Sequence, residues 1–247
     1  MISKNEIKFL KSLNLLKFRN ENNVFKVEGW RSLKEFLNSD YKLVSLYATS
    51  NWLDNNDISV LRIKKINERD LKYISSLKSP NQIIGVFEKK QPFIELSCFK
   101  NEIGVFLEDV KNPGNLGSII RTCDWFGIKK IICSNDSVDV YNPKVIQSTM
   151  GSLSRVSVNY ISTDLCLSQI KKNKIFSFVA DLDGESVFNQ VSISNGIIFF
   201  GNESKGVSNK IKKTFTDKIT IPGNDNDCES LNLSVSFGII ISQLLKK

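Results

Sequence analysis

Ile197-Ile198-Phe199-Phe200-Gly201-Asn202-Glu203-Ser204-Lys205-Gly206 reads as a strand that runs into a polar loop closed by glycine. Four consecutive apolar residues leave no polar face, so this strand belongs in a sheet covered on both sides. The same order of apolar strand, polar loop and helix recurs on either side of it. Ile103–Leu107 leads into Lys111-Asn112-Pro113-Gly114-Asn115-Leu116-Gly117-Ser118-Ile119-Ile120-Arg121-Thr122-Cys123, with a helix expected over Leu116–Phe126. Lys218–Ile221 leads into Pro222-Gly223, an acidic stretch, and Ser230-Leu231-Asn232-Leu233-Ser234, with a closing helix over Leu231–Leu245. Lys130–Cys133, Val156–Ile161 and Ile175–Ala180 read as further strands and Pro143–Met150 as a short helix. The alternation predicts an α/β fold with a mostly parallel sheet. Such sheets bind ligands beyond the carboxyl ends of their strands, where all three loops lie.

The chain of 247 residues is long enough for two domains. Before Gln91-Pro92-Phe93, a proline-marked linker, the pattern is that of a smaller α/β unit. A helix is expected over Glu6–Leu16, strands over Val24–Glu28, Leu43–Ala48, Val60–Ile63 and Ile83–Phe87, and helices over Arg31–Leu37 and Asn67–Leu77. We therefore expect domains at 1–97 and 98–247. Residues 1–97 hold 17 Lys/Arg against 11 Asp/Glu, and residues 98–247 hold 17 against 15, so the basic excess sits on the first. A basic segment is a candidate phosphate-binding surface, or only a solubilising one. Phe18, Phe25, Trp30 and Trp52 are candidates for base stacking, although core packing accounts for most aromatics in a domain of this size.

Several chemistries are excluded. The chain has no histidine, which removes the usual general base, histidine metal sites and the Ser-His-Asp triad. Cys98, Cys123, Cys133, Cys166 and Cys228 form no C-x-x-C pair. We expect reduced thiols, a cytoplasmic protein and no metal. No apolar run reaches the roughly 20 residues of a membrane span, and the N-terminus has no apolar signal core. Gly114 and Gly117 are too close for a dinucleotide fingerprint, and Gly201 to Gly206 is followed by Val207 rather than the lysine of a P-loop.

Each loop alone has an ordinary reading. Asn112-Pro113-Gly114-Asn115 is a turn and helix cap, Gly201-Asn202-Glu203 a strand-to-helix turn, and Ser230-Leu231-Asn232 an N-cap. Arg121 stands among Ile119, Ile120 and Phe126 on an otherwise apolar helix, where such a cation needs a partner, in a functional role or in a structural ion pair with Glu or Asp. Taken in order, the three loops resemble the three motifs of the SpoU (TrmH-type) RNA 2′-O-ribose methyltransferases of the SPOUT superfamily. Asn142-Pro143-Lys144 and Ser148-Thr149-Met150-Gly151-Ser152-Leu153-Ser154-Arg155-Val156 resemble that family's region between motifs one and two. The likeness spans about residues 103–245. Phe25-Lys26-Val27-Glu28-Gly29 and Ser79-Pro80-Asn81-Gln82-Ile83-Ile84-Gly85-Val86 resemble the appended substrate-binding domain.

The resemblance implies a trefoil-knotted methyltransferase domain, acting as a homodimer, behind a small α/β RNA-binding domain. It implies S-adenosyl-L-methionine as cofactor and RNA as substrate, ribosomal RNA favoured over transfer RNA, with no DNA or membrane partner. Gly201, Ile221 and Leu231 match the cofactor-contacting positions, and the absence of a Cβ at 201 suits close backbone approach to a ligand. Asn115, Arg121, Glu203, Ser230 and Asn232 match the polar catalytic positions. Arg121 would stabilise charge on the attacking oxygen, Glu203 would orient Arg121 or the loop, and Ser230 and Asn232 would fix the ribose or the loops. The acidic loop 223–229 is about one residue longer than the family pattern and reads as solvated, with repulsion of phosphate that shapes RNA choice, or weakly Mg²⁺ binding, as the alternatives. An inactive RNA-binding assembly protein, or methylation of a base nitrogen, are the competing readings.

Overall fold

The structure is a computed structural model and describes residues 2–56, 62–224 and 230–246. Residues 60–61 of one expected strand, residues 225–229 of the acidic loop and Cys228 lie outside them. The chain forms two compact units, Met1–Lys90 with Asp139–Ser154, and Gln91–Val138 with Arg155–Lys247. The first division falls earlier than the expected boundary after residue 97. Ile94, Leu96 and Phe99 are buried in the second unit's core, which draws the linker into it.

The first unit contains α1 (Lys4–Ser12), α2 (Leu16–Asn22), β1 (Val24–Glu28), α3 (Trp30–Leu37), β2 (Leu43–Ala48), α4 (Ser50–Asp54), β3 (Ile63–Lys65), α5 (Glu68–Ile74) and β4 (Ile83–Glu88). The chain continues through β5 (Ile103–Leu107), α6 (Pro113–Trp125), β6 (Lys130–Ser134), α7 (Pro143–Thr149), β7 (Ser157–Ile161), α8 (Thr163–Asn173), β8 (Ser177–Ser186), β9 (Gly196–Phe200), α9 (Asn209–Thr214), β10 (Lys218–Thr220) and α10 (Leu233–Leu244). The single helix expected over Glu6–Leu16 is two. The Ser3/Glu6 capping box starts α1 early, and α2 begins at Leu16. The short α4 and α9, and α8 with only Cys166, Leu167 and Ile170 buried, carried too thin an apolar stripe to be read.

The first sheet has the order β1-β4-β2-β3, antiparallel except between β2 and β3. One face packs on Leu10, Leu13, Leu71 and Ile74. On β1, Phe25 packs at 4.5 Å between ring centroids on Tyr141 and at 5.5 Å on Phe36. Asp139 accepts from Nε (3.1 Å) and Nη2 (2.7 Å) of the buried Arg19, whose Nη1 donates to the Leu13 carbonyl. These contacts are why Asp139–Ser154, although late in sequence, group with the first unit. Trp52 and Phe25 are core residues, as packing favoured, while Trp30 and Phe18 are partly exposed.

The second sheet has the order β10-β8-β9-β5-β6-β7, with every neighbouring pair parallel. β9 is buried throughout. Ile197 and Phe199 face a core shared with Phe106, Ile170 and Ile211, and Phe200 packs at 4.8 Å on Phe237 of α10. Fully burying each such side chain contributes roughly 1.5–3 kcal/mol. Cys123, Cys133 and Cys166 are buried free thiols. Among the described residues no helix is long and apolar enough to cross a membrane.

The alternating Val24-Phe25-Lys26-Val27 does not mark a solvent face, because Lys26 is 3% exposed. Its Nζ donates to the Ile74 carbonyl (2.8 Å) and lies 3.6 Å from Glu28. Burial lowers the Lys26 pKa to about 8 from the ordinary 10.5, against the opposing pull of Glu28. Between about pH 8 and 10.5 the unfolded chain therefore holds the extra proton, so this group makes stability rise with pH across that window. Relative to Lys26→Met, the wild type should gain on the order of 2–3 kcal/mol between those limits in urea unfolding. A difference that stays flat across the window would contradict it.

Candidate active site

The site is built by helix caps and one carboxylate at the carboxyl edge of the parallel sheet. β9 lies beside β5, so the loops that follow them are neighbours. Asn112 caps α6, its side chain accepting from the backbone N–H groups of Gly114 (2.8 Å) and Asn115 (3.3 Å), with Pro113 in the first turn. This cap delivers Asn115 to a buried position, 6% exposed. Asn115 Nδ2 donates to Glu203 Oε1 (3.0 Å), and Asn115 Oδ1 accepts from Asn232 Nδ2 (3.1 Å). One asparagine thus joins all three loops.

Glu203 gathers more. Its Oε1 also accepts from the Asn112 backbone N–H (3.0 Å) and its Oε2 from that of Lys111 (3.3 Å). Burial pushes its pKa up. Hydrogen bonds from its own loop, from Asn115 and from the Asn112 and Lys111 amides outweigh that and hold the carboxyl below its usual range. Asn232 divides its side chain between two tasks. Its Oδ1 caps α10, accepting from Ser234 N (2.9 Å) and Oγ (2.7 Å), and its Nδ2 serves Asn115. Asn112 and Asn232 are both helix caps, as read, and each keeps a further group for the network: Asn112 its backbone N–H and Asn232 its Nδ2.

Gly201 is buried, and a Cβ there would stand 2.0 Å from the Gly206 carbonyl carbon and 2.1 Å from the Val207 nitrogen. The close approach that requires glycine is to its own loop, which an Asn202–Gly206 bridge closes, rather than to a ligand. Ile221 follows β10 and is partly exposed, Leu231 is 48% exposed, and a Cβ on Gly223 would meet open space. The accessible apolar side chains of Ile221 and Leu231 fit the flat adenine ring and methionine portion of S-adenosylmethionine. Ser230 is exposed immediately before Leu231.

Arg121 stands apart. It is exposed on α6 and has no ion-pair partner among the described residues, so water solvates the cation that burial would have forced to pair. Six residues beyond Asn115, it is about 9 Å along the helix and about 120° round it. Glu203 therefore orients the loop and Asn115, and makes no bond to Arg121. Asp109, Asn112 and Asn202 join this network without having been singled out as site residues. Their signal was only turn composition, since the backbone of Asn112 and Asp109 bonds alongside their side chains. Among the described residues no group of His, Cys, Asp or Glu is placed to hold a metal.

The model of the SpoU rRNA Methylase family matches residues 102–242, and that of the MRM3-like substrate binding domain matches residues 4–85. A TrmH-family structure from Porphyromonas gingivalis superposes with a TM-score of 0.87 at 32% identity, covering 99% of this chain and 98% of that one. An AdoMet-bound rRNA methyltransferase from Sinorhizobium meliloti superposes at 0.85 with 23% identity, covering 99% and 95%. The 23S rRNA (guanosine(2553)-2′-O)-methyltransferase RlmP of Bacillus subtilis is 23% identical over 241 residues, 97% of this chain and 95% of that protein. With its three motif loops joined through Asn115 and more than half its length matched, the chain belongs to the SpoU rRNA Methylase family.

Proposed function

We propose that this chain methylates a ribose 2′-hydroxyl of ribosomal RNA, as a homodimer with a knotted methyltransferase domain. The observation that carries the reading is the Asn232–Asn115–Glu203 chain of hydrogen bonds, which locks the three motif loops together at the sheet edge. Family membership supports the knot, and the match to a substrate-binding domain over residues 4–85 supports RNA capture by the basic first unit.

S-Adenosylmethionine supplies an electrophilic methyl group on its sulfonium. Gly201, Ile221 and Leu231 would hold it at the carboxyl ends of β9 and β10. When bound, that methyl group would be the electrophile for the ribose oxygen, with S-adenosylhomocysteine as the leaving group. The chain's task is to hold the oxygen in line and to stabilise its charge. An arginine is charged at any pH the protein meets, so Arg121 stabilises the oxygen rather than taking its proton. Asn115 spends one Nδ2 hydrogen on Glu203 and keeps the other for the ribose. Ser230 and Asn232 complete the polar wall.

Dimerisation rests on the family and on Trp125. This residue is 85% exposed one helical turn beyond Arg121, an apolar surface that a second copy would cover.

Four experiments test the reading. Purified protein with labelled S-adenosylmethionine should methylate unmodified ribosomal RNA and not transfer RNA, with the product mapping to a 2′-O-methyl nucleotide. Arg121→Ala should lower kcat by about 10²–10³ with cofactor binding intact; near-normal turnover would remove Arg121 from its role. No transfer to either pool despite cofactor binding would favour the non-catalytic RNA-binding reading. Glu203→Gln keeps one acceptor oxygen but sets an NH₂ group against the donors of the other, either the Lys111 N–H or the Asn112 N–H and Asn115 amide, and should cost at least about tenfold in kcat while the protein stays folded. Trp125→Glu should shift sedimentation from dimer to monomer, and an unchanged dimer would move the interface elsewhere.

A further inference from the structure

Asp109 is one of four non-glycine residues in the described chain with a left-handed backbone, at φ 54°. It follows β5 by two residues and opens the motif-one loop. A non-glycine residue in this region costs energy that its surroundings must offset. Those surroundings are specific. The Asp109 N–H donates to Ser134 Oγ (2.8 Å), at the end of β6. Its carbonyl accepts from Asn202 Nδ2 (2.8 Å), and its Oδ2 lies 3.3 Å from the same nitrogen. Its Oδ1 pairs with Lys111 Nζ at 2.6 Å.

Asn202 is as fully engaged. While its Nδ2 holds Asp109, its Oδ1 accepts from the backbone N–H groups of Ser204 (2.9 Å) and Lys205 (3.2 Å). Its own N–H and carbonyl bond Gly206 at 3.0 and 2.9 Å. The side chain immediately before Glu203 therefore both folds the motif-two loop and fastens it to the first residues of the motif-one loop. Glu203 in turn reaches Lys111, Asn112 and Asn115.

We propose that Asn202 and Asp109 form a positioning clamp for the methyl-transfer reaction, setting the distance between the first two motif loops so that Glu203 can fix Asn115. Neither touches the reacting atoms. The proposal rests on the reading of the chain as a methyltransferase. It locates the rate-determining precision of the site in one amide–carbonyl bond and one left-handed residue outside the polar motif positions.

The informative change is Asn202→Asp, which keeps shape and the oxygen that Ser204 and Lys205 use, but turns the Asp109 carbonyl and carboxylate from bonded to repelled. The charged groups around position 202 are Asp109, Lys111 bonded to it, and Glu203. At pH 8 the variant should lose about 10- to 100-fold in kcat per bound cofactor, with KM for RNA and cofactor changed less than about threefold. A carboxyl group facing a carbonyl and a second carboxylate takes up a proton at higher pH than an isolated one, and its O–H then replaces the lost donor. The ratio of variant to wild-type kcat should therefore climb about fivefold or more as pH falls from 8 to 5.5. Adding Asp109→Asn, which offers a donor to the introduced carboxylate, should raise kcat at pH 8.

Amide hydrogen exchange gives a reading independent of turnover: the Lys111 and Asn112 amides that Glu203 accepts should exchange faster in Asn202→Asp. If that variant does not fold, Asn202→Ala is read on the same two measurements, with about tenfold loss and faster exchange expected. A variant with kcat within about twofold of wild type and unchanged exchange overturns the clamp. So does a loss equal at both pH values and not rescued, since a merely structural asparagine would behave in that way. Wild-type protein that binds cofactor and methylates no RNA would instead overturn the methyltransferase reading, while the exchange experiment still decides the clamp.

Discussion

One carboxylate organises the site. Glu203 accepts two backbone N–H groups and one side-chain amide from the motif-one segment. Hydrogen bonds to a charged acceptor are the stronger kind, and a partly buried carboxylate left without them would carry its full desolvation cost. The loops therefore have little freedom to part while Glu203 is ionised. This constraint is available only because β9 and β5 are parallel neighbours, so that Phe200 and Leu107 end side by side. Glycine at 201 and 206 then lets the intervening loop fold tightly enough to return the carboxylate to the adjacent strand.

The second economy is the reuse of helix caps. A helix N-terminus needs acceptors for its first N–H groups, and asparagine supplies one while keeping an NH₂ group and its own backbone N–H for other partners. Asn112 caps α6 with its side chain and gives its backbone N–H to Glu203. Asn232 caps α10 with Oδ1 and gives Nδ2 to Asn115. The positions of both helices and the geometry of the site are thus fixed by the same atoms. Aspartate would cap either helix equally well, but at 232 it would offer Asn115 no donor.

Much of this was legible in the residues. β1, β2 and β5 run over the spans that their apolar patterns predict, because their neighbours in sequence break cleanly at glycine, asparagine or charge. The unbroken Ile197–Phe200 run announced a strand covered on both faces, and it is buried throughout. What stayed hidden depends on contacts between distant residues. Lys26 reads as a solvent-facing residue of an alternating strand until the Ile74 carbonyl and Glu28 are placed beside it. Asp139 reads as a loop residue until Arg19 reaches it from α2. Arg121 reads as a cation among apolar neighbours, but the helix turns its side chain outward and leaves the apolar ones inside. Left-handed Asp109 has no local signature, since its backbone conformation is held by Ser134 and Asn202 rather than by its neighbours.

The absence of histidine from the chain narrows how such a site can work. Neutral amides and one carboxylate make a framework whose hydrogen bonds do not depend on a group that changes charge near neutral pH. The framework carboxylate is held ionised by four hydrogen-bond donors, so acid must titrate it below the usual range before the loops are released. Arg121 is an exposed cation on α6. Chemistry that needs an ionised ribose oxygen for only the moment of transfer is well served by this division. Rigidity comes from groups already bonded to each other, and the electrostatic stabilisation proposed for Arg121 would come from a cation that no acidic residue of the described chain pairs with.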